Sequence, residues 1–149
     1  MGSHFDGNRD ELRALSAFIN LMRAAESLHA RESRRLAGTH LTSSQFGVLE
    51  ALYHLGPLTQ KELSQKLLKT GGNMTMVVGN LEKHEQVERR RGTEDRRVVT
   101  VHLTRRGRRL IERIMPAHVE GIREDMNRLT AREQEQLRAL CRKLGKQKD

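Results

Sequence analysis

Aromatic residues, cysteine and long apolar runs are all scarce in this chain. The 149 residues include three Phe, one Tyr and no Trp, which disfavours single-strand nucleic-acid binding on stacked aromatic rings. The single cysteine, Cys141, excludes an internal disulfide and a cysteine-rich zinc site, and it is compatible with a reducing cytoplasm, the expected location. No apolar run approaches the length of a membrane span and no signal-peptide core opens the chain, so we expect no membrane contact.

Residues that could support catalysis or bind a metal are present but not grouped. The seven histidines include no His-x-x-x-His pair, and none stands at ligand spacing from Cys141. Ser43, Ser44 and Ser64 have no evident base or orienting acid. The sequence therefore predicts no metal, no cofactor and no enzyme activity. Cys141, on the apolar stripe of "LRALCRKL", is interpreted as a packing residue rather than a thiol sensor.

Positive charge is what the chain has in excess. Lys and Arg number 28 against 19 Asp and Glu, which gives a formal net charge of +9 and a pI near 10.6. Such an excess does not decide the fold. It favours an anionic partner, either nucleic acid or an acidic membrane surface.

Helical periodicity and one repeated start signal organise most of the chain. Apolar residues at steps of three and four predict a long amphipathic helix from about Asp10 to Leu36. The pattern Thr-x-x-Gln/Glu recurs at Thr42, Thr59 and Thr130, where two side chains can form the capping box that begins a helix. A further apolar stripe behind a pair of glycines predicts helix, tight turn and helix between residues 59 and 84.

The periodicity changes from helical to alternating after residue 86. "VERRR" and "RVVTVHLT" are β-prone, with the polar "GTEDR" between them, so a two-stranded hairpin with a charged tip is predicted. Helical spacing returns at Leu110, and Pro116 should bend or interrupt that helix. The predicted fold class is mainly α with a small β-hairpin wing (α+β), a winged helix-turn-helix with long N- and C-terminal helices. The apolar stripes of those helices favour burial between two chains.

The motifs "LTSSQFGVLEAL", "LTQKELSQKL" and "EDRRVVTVHLTRRG", within residues 41–110, resemble those of the MarR family of bacterial transcription regulators. "GGNMT" followed by "NLEK" is most similar to members related to sensors of quinones and aromatic electrophiles. The resemblance implies a homodimer on a pseudo-palindromic operator in double-stranded DNA, usually a repressor released by a small aromatic or phenolic effector or by cysteine oxidation. The expected segments are a tag remnant or disordered N-terminus at 1–9, a dimerisation helix at 10–40, a DNA-binding lobe at 41–104 and C-terminal dimerisation helices at 105–149.

The resemblance also assigns residues that contact DNA. A recognition helix would lie in the major groove and the wing in the adjacent minor groove, where Asp95 would steady Arg97. Asn suits an adenine edge, Thr and Met suit a thymine methyl, and Arg suits a narrow, negative groove. The expected contacts are Thr70, Gly72, Asn73, Thr75, Met76, Asn80 and Lys83 on the recognition helix, Arg89, Arg90, Asp95, Arg96 and Arg97 on the wing, and Lys61 and Lys69 at phosphates.

Four positions depart from the family pattern. Met76 stands where an Arg is common and Gly79 where an Asp is common, so an operator sequence is not carried over. Gly79 is either an ordinary helix glycine or a point where the backbone approaches the groove. Glu85 and Gln86 replace a Gly and a large apolar residue, so Glu85 should cost stability or end the helix differently.

A ligand cleft is expected between the dimerisation helices and the DNA-binding lobe. Its expected lining is Phe18, Met22, Phe46, Tyr53 and Ile111, for which ordinary core packing is the alternative interpretation.

Two other functions remain open on the residues alone. A sequence-tolerant DNA-coating protein would use the same positive charge without preferring an operator at raised salt. A nucleotide-binding enzyme would use the glycine pair at 71–72. A phosphate-binding loop of that kind follows a strand and carries Lys-Ser/Thr, whereas a helix is predicted before these glycines and no such lysine follows.

Overall fold

The order of elements follows the predicted order of helices and hairpin. The structure, a computed structural model, describes residues 4–67 and 71–146. It is mainly α-helical with a small antiparallel sheet, which confirms the predicted fold class. The elements are α1 (Arg9–Ala37), α2 (Ser43–Leu55), β1 (Leu58–Thr59), α3 (Gln60–Leu67), α4 (Gly71–Lys83), β2 (Val87–Arg91), β3 (Val99–Leu103), α5 (Arg105–Met126) and α6 (Ala131–Gly145).

Capping boxes begin the helices at the three predicted threonines. At Thr59, the backbone N–H donates to Glu62 Oε2 at 2.7 Å, and the Glu62 N–H donates to Thr59 Oγ1 at 3.2 Å. Thr42 and Thr130 form the same reciprocal bonds. A fourth box, at Asn8, begins α1 and was not predicted, although the pattern Asn-x-x-Glu is present. Hydrogen bonds from the Thr59 backbone and side chain lower the pKa of Glu62, which favours the charged form that the box requires.

The sheet has one strand more than predicted. Its order is β1-β3-β2, all antiparallel, with Leu58 opposite Val101 and Val87 opposite Leu103. β1 has only two residues, too few for an alternating pattern to be visible in the sequence. Because β1 precedes α3 directly, it ties the hairpin to the helix pair.

The buried core lies between α2, α3, α4, the sheet and the first turns of α5. Phe46, Leu49 and Leu63 are almost wholly inaccessible to solvent. Gly107 lets α5 approach the turn after α4, since a Cβ there would lie 1.9 Å from the Gln86 carbonyl oxygen. Within the described residues, no helix is long and apolar enough to cross a membrane.

Pro116 was expected to bend or interrupt α5, and the structure shows that it does not interrupt the helix. The helix continues from Arg105 to Met126 with Pro116 inside it. The missing N–H of Pro116 would have bonded to the carbonyl of Glu112, and both residues are exposed. Water can satisfy that carbonyl, so the lost bond does not end the helix.

The turn that ends α4 contains the strain expected at Glu85. Its φ is 57°, in the left-handed region that favours glycine. The Gln86 N–H donates to the Leu81 carbonyl and the Glu85 N–H to the Glu82 carbonyl, both at 3.0 Å. These two bonds form a Schellman motif with Glu85 at the glycine position. The chain thus ends the helix in the usual geometry at an added conformational cost.

Candidate DNA-binding surface

Helix α4 has one buried stripe and one outward stripe. Met74, Val77, Val78 and Leu81 are buried against the core. The opposite stripe, at steps of four, three and four, is formed by Gly72, Met76, Gly79 and Lys83.

The outward stripe of α4 combines one protruding side chain, Met76, with two glycines that leave the helix backbone uncovered. Met76 is 61% exposed. An added Cβ at Gly72 or Gly79 would meet no heavy atom within 4 Å. The stripe therefore presents helix backbone on both sides of one long apolar side chain. Asn73 and Thr75 are also exposed, whereas Asn80 is half-buried.

Thr75 connects α4 to α3. Its hydroxyl donates to the Gly71 carbonyl at 3.0 Å and lies 2.5 Å from Gln60 Nε2, which donates to it. The hydroxyl is thus engaged within the chain, which leaves the exposed methyl as the part suited to apolar contact with a base. Gln60 was not a candidate from the sequence, because no spacing rule joins residues on two different helices.

The tip of the wing holds Asp95 and Arg97 together. One Asp95 oxygen accepts from the Arg97 backbone N–H at 3.0 Å and from Nε at 3.2 Å, while the other lies 3.3 Å from a terminal guanidinium nitrogen. The side-chain and backbone hydrogen bonds from Arg97 lower the pKa of Asp95. The Arg97 side chain is 92% exposed, so the carboxylate orients a guanidinium that otherwise points into solvent. Arg96 beside it is also exposed.

Two of the three arginines of β2, Arg89 and Arg90, have carboxylate partners within the chain. Arg89 donates to Glu82 of α4 at 2.6 Å, and Arg90 pairs with Glu88. The first pair fixes the wing to the helix whose outward stripe faces solvent. Glu82 was missed from the sequence because the contact crosses the end of a helix, where neither helical nor strand periodicity applies.

The remaining expected site residues are dispersed. Lys61 is exposed on α3, while Lys69 and Thr70 lie outside the described residues. Phe46 and Ile111 are buried in the core, and Phe18 and Met22 are exposed on α1. Tyr53 packs against the Arg108 guanidinium, which lies 5.3 Å from the ring centre. Phe46 and Ile111 thus lie in one core cluster with Tyr53 packed against it, apart from Phe18 and Met22, and the ligand cleft stays a prediction.

Metal-ligating side chains are not grouped in the described part of the chain. Across residues 4–67 and 71–146, no three His, Cys, Asp or Glu side chains are placed to hold an ion. Cys141 is exposed on α6.

Helices α3 and α4, followed by the β2–β3 hairpin and completed by β1, form a winged helix-turn-helix. An outward helix stripe beside an arginine-tipped wing defines the class of winged-helix DNA-binding regulators. Residues 41–99 match the family model described as MarR family. The HTH-type transcriptional regulator MhqR of Bacillus subtilis (strain 168) is 32% identical over 133 residues, which cover 89% of this chain and 92% of that protein. The chain belongs to the MarR family of transcription regulators and is not an enzyme.

Solved structures of other regulators have the same fold. Sco3205 of Streptomyces coelicolor, a MarR family transcriptional regulator in complex with DNA, matches with a TM-score of 0.84 and 24% identity, covering 96% of this chain and 91% of that one. BpsR of Bordetella bronchiseptica, whose DNA binding is regulated by 6-hydroxynicotinic acid, matches with a TM-score of 0.80 and 24% identity, covering 88% and 99%. At this identity, both establish the fold alone.

Proposed function

We propose that this regulator binds a two-fold-symmetric operator as a homodimer, with α4 in the major groove and the wing in the adjacent minor groove. The observation that carries the proposal is the pairing of Asp95 with Arg97 at an exposed wing tip beside the outward stripe of α4. A guanidinium held in this way suits the narrow, negative minor groove, and an exposed helix stripe suits the major groove.

The contacts divide by chemistry. Asn73, Thr75, Met76 and Asn80 would meet base edges and so set sequence preference. Cationic side chains would meet phosphates, which position the protein without specifying sequence. Because Arg89 and Arg90 already have carboxylate partners, we assign them first to holding the wing in place and second to DNA.

The dimer is supported by apolar surface on the terminal helices. Phe18 and Met22 of α1 are 59% and 52% exposed, and Leu140 and Leu144 of α6 are 60% and 71% exposed. None of the residues of α6 is buried. A helix with an apolar stripe that the described part of its own chain does not bury fits burial against a second copy. Two copies would place two α4 helices on a two-fold operator.

Regulation by a ligand completes the proposal. The regulator would be a ligand-responsive repressor, in which a bound effector changes the separation of the two α4 helices. BpsR, whose DNA binding is regulated by 6-hydroxynicotinic acid, is a precedent within the same fold. An effector acts in this way only if it binds the free conformation more tightly than the DNA-bound one.

Selection of bound duplexes from a random pool tests the DNA-binding proposal. A two-fold motif should emerge and should retain a large affinity advantage over random DNA at raised salt. A pool without a motif would instead favour the sequence-tolerant DNA-coating protein.

Arg97→Ala tests the wing. It should weaken operator binding about tenfold or more, since a charge-assisted contact is worth roughly 1.5–3 kcal/mol. The slope of log affinity against log salt should fall by about one, while light scattering shows an intact dimer. Arg138→Ala, at an exposed position of α6, is the matched control and should bind as the wild type does. Unchanged binding by Arg97→Ala would remove the wing from the interface.

A further inference from the structure

A cavity of about 880 Å³ lies between three turns of the structure, away from the outward stripe of α4. We infer that it binds a small organic polyanion, a molecule with at least two phosphate or carboxylate groups. Its walls come from the end of α1, the turn after α4 and the first turns of α5. The lining residues are Thr39, His40, His84, Gln86, Arg105, Arg106, Arg109, Leu110 and Arg113.

Positive charge is concentrated on one side of this cavity. Arg105, Arg109 and Arg113 follow one another at four-residue steps, so they lie in a row along one side of α5. Among the described residues, none of these three has a carboxylate partner, and Arg106 reaches only Glu85, at 3.4 Å. The row thus presents cationic groups that the described part of the chain does not neutralise.

The arginine row works against the stability of its own helix. Like charges at four-residue steps destabilise a helix. The first turn of α5 contains Arg105 and Arg106 and no acidic residue, although the positive end of the helix dipole disfavours cations there. A bound polyanion would remove both penalties, because it would place negative charge at the helix start and between the arginines.

The rest of the lining adds hydrogen-bonding groups to the arginines. His40, His84 and the Gln86 amide face the arginines, and Leu110 is the apolar residue of the lining. No Phe or Tyr is present, so a phenolic ring would find no aromatic partner. Arginine forks bind carboxylate and phosphate groups through two parallel hydrogen bonds, and the volume falls in the range of small-molecule sites rather than that of a single ion.

The position of the cavity favours a small molecule over the DNA backbone. α5 begins after Leu103, at the end of β3 opposite the wing tip. Four residue steps along β3 correspond to roughly 13 Å. A duplex held by the wing tip and the outward stripe of α4 would therefore meet a different surface. The ligand would instead touch the turn that ends α4, formed by His84, Glu85 and Gln86.

This inference names the effector class of the regulator proposed above, and only its regulatory meaning rests on that proposal. Binding is therefore measured on the DNA-free protein by isothermal titration calorimetry. The probes are sodium pyrophosphate and sodium citrate, each compared with sodium chloride at equal ionic strength. One probe carries phosphate groups and the other carboxylates, so the two titrations distinguish the sources of the anionic groups.

Paired substitutions distinguish anion binding in the cavity from general attraction of anions to a basic protein. Arg105→Gln with Arg109→Gln should weaken the tighter probe at least about tenfold, because charge-assisted hydrogen bonds are lost. Arg105→Lys with Arg109→Lys keeps the charge but not the fork, and should weaken it by an intermediate factor. Arg132→Gln with Arg138→Gln, both exposed on α6, removes equal charge elsewhere and should leave binding unchanged. The Gln pair should remain folded by circular dichroism, since it relieves like-charge repulsion.

Three results would overturn the inference. The first is that neither probe shows saturable binding beyond chloride. The second is that the α6 variant weakens binding as much as the cavity variant does, which would mean attraction to net charge. The third is that the cavity variant loses operator affinity while the wild type binds neither probe, which would assign the arginines to the DNA backbone. Operator selection with the wild type stands apart from all three, so a failure here leaves the DNA-binding proposal intact.

Discussion

Replacing Gly79 with Ala should raise the stability of the free protein and lower its affinity for DNA. The residue lies in the middle of α4, and an added Cβ would have no heavy atom within 4 Å. Its φ is not positive, in contrast to Gly56. Alanine is therefore compatible with the backbone, and it is favoured over glycine in a helix by about 0.5–1 kcal/mol. For a chain of this size, the melting temperature should rise by roughly 1–4 °C.

The DNA complex should respond in the opposite direction. If α4 lies in the major groove, Gly79 is on the stripe that faces the base edges, beside Met76. An extra methyl in a packed interface costs about 1–3 kcal/mol, which corresponds to roughly 5- to 150-fold weaker binding. A change that improves the free protein and impairs the complex has no explanation in loss of folding.

Gly38→Ala is the matched control. Gly38 ends α1 in a right-handed conformation, and an added Cβ there also meets nothing within 4 Å. Stability is measured by urea unfolding, and operator affinity by fluorescence anisotropy at fixed salt. Gly38→Ala should leave operator affinity unchanged. If Gly79→Ala gains stability and still binds the operator as tightly as the wild type does, the outward stripe of α4 does not lie against DNA.

Two further substitutions test the turn after α4 and the contact between α1 and α5, in which Arg31 and Arg35 of α1 pair with Asp125 of α5 at 2.7 and 2.9 Å. Glu85→Gly should stabilise the protein by about 1 kcal/mol in urea unfolding, because it relieves a left-handed conformation; a loss would mean that the exposed contact with Arg106 outweighs the strain. Burial alone would raise the pKa of Asp125, but hydrogen bonds from Arg35 and Arg31 and their charges lower the pKa overall. The resulting stability is present above the unfolded pKa of about 3.9 and is lost as pH falls through the lower folded pKa. Asp125→Asn should therefore be less stable than the wild type at pH 7, with the difference shrinking toward pH 3; equal stability at pH 7 would refute this role.

Local signals predicted most of the fold. Capping boxes depend on residues three apart, and apolar stripes on residues three or four apart, so the starts of α2, α3 and α6 could be placed without knowing their neighbours. Strand β1 was not predicted, because two residues are too few to show an alternating pattern. The expected ligand cleft stays a prediction for a related reason: Phe46 and Ile111 lie on apolar stripes, and a stripe does not distinguish core from cleft.

The arginine-lined cavity could not be predicted, because its walls come from three turns that are far apart in the chain. Arg105 and Arg109 were visible as basic residues, but nothing local joins them to His40 or Gln86. The Asp95–Arg97 pair at the wing tip is the opposite case. Its members are two residues apart, so the motif and the hydrogen bonds coincide. Whether a site can be predicted from the sequence therefore depends on how many residues separate the side chains that form it.

The four departures from the family pattern all lie on α4 or in the turn that ends it. Met76 and Gly79 alter the stripe of α4 proposed to face DNA, whereas Glu85 and Gln86 occupy the turn that ends the same helix. Gln86 lines the cavity where the family usually carries a large apolar residue, and Glu85 contacts Arg106. A polyanion in the cavity would therefore touch the end of the helix that reads the operator. Because coupling between two binding sites is reciprocal, any factor by which the anion changes operator affinity must equal the factor by which the operator changes anion affinity. With coupling, the loss of operator affinity reaches a limit as the anion concentration rises. Simple competition for positive charge would abolish simultaneous binding, so operator affinity would keep falling without a limit.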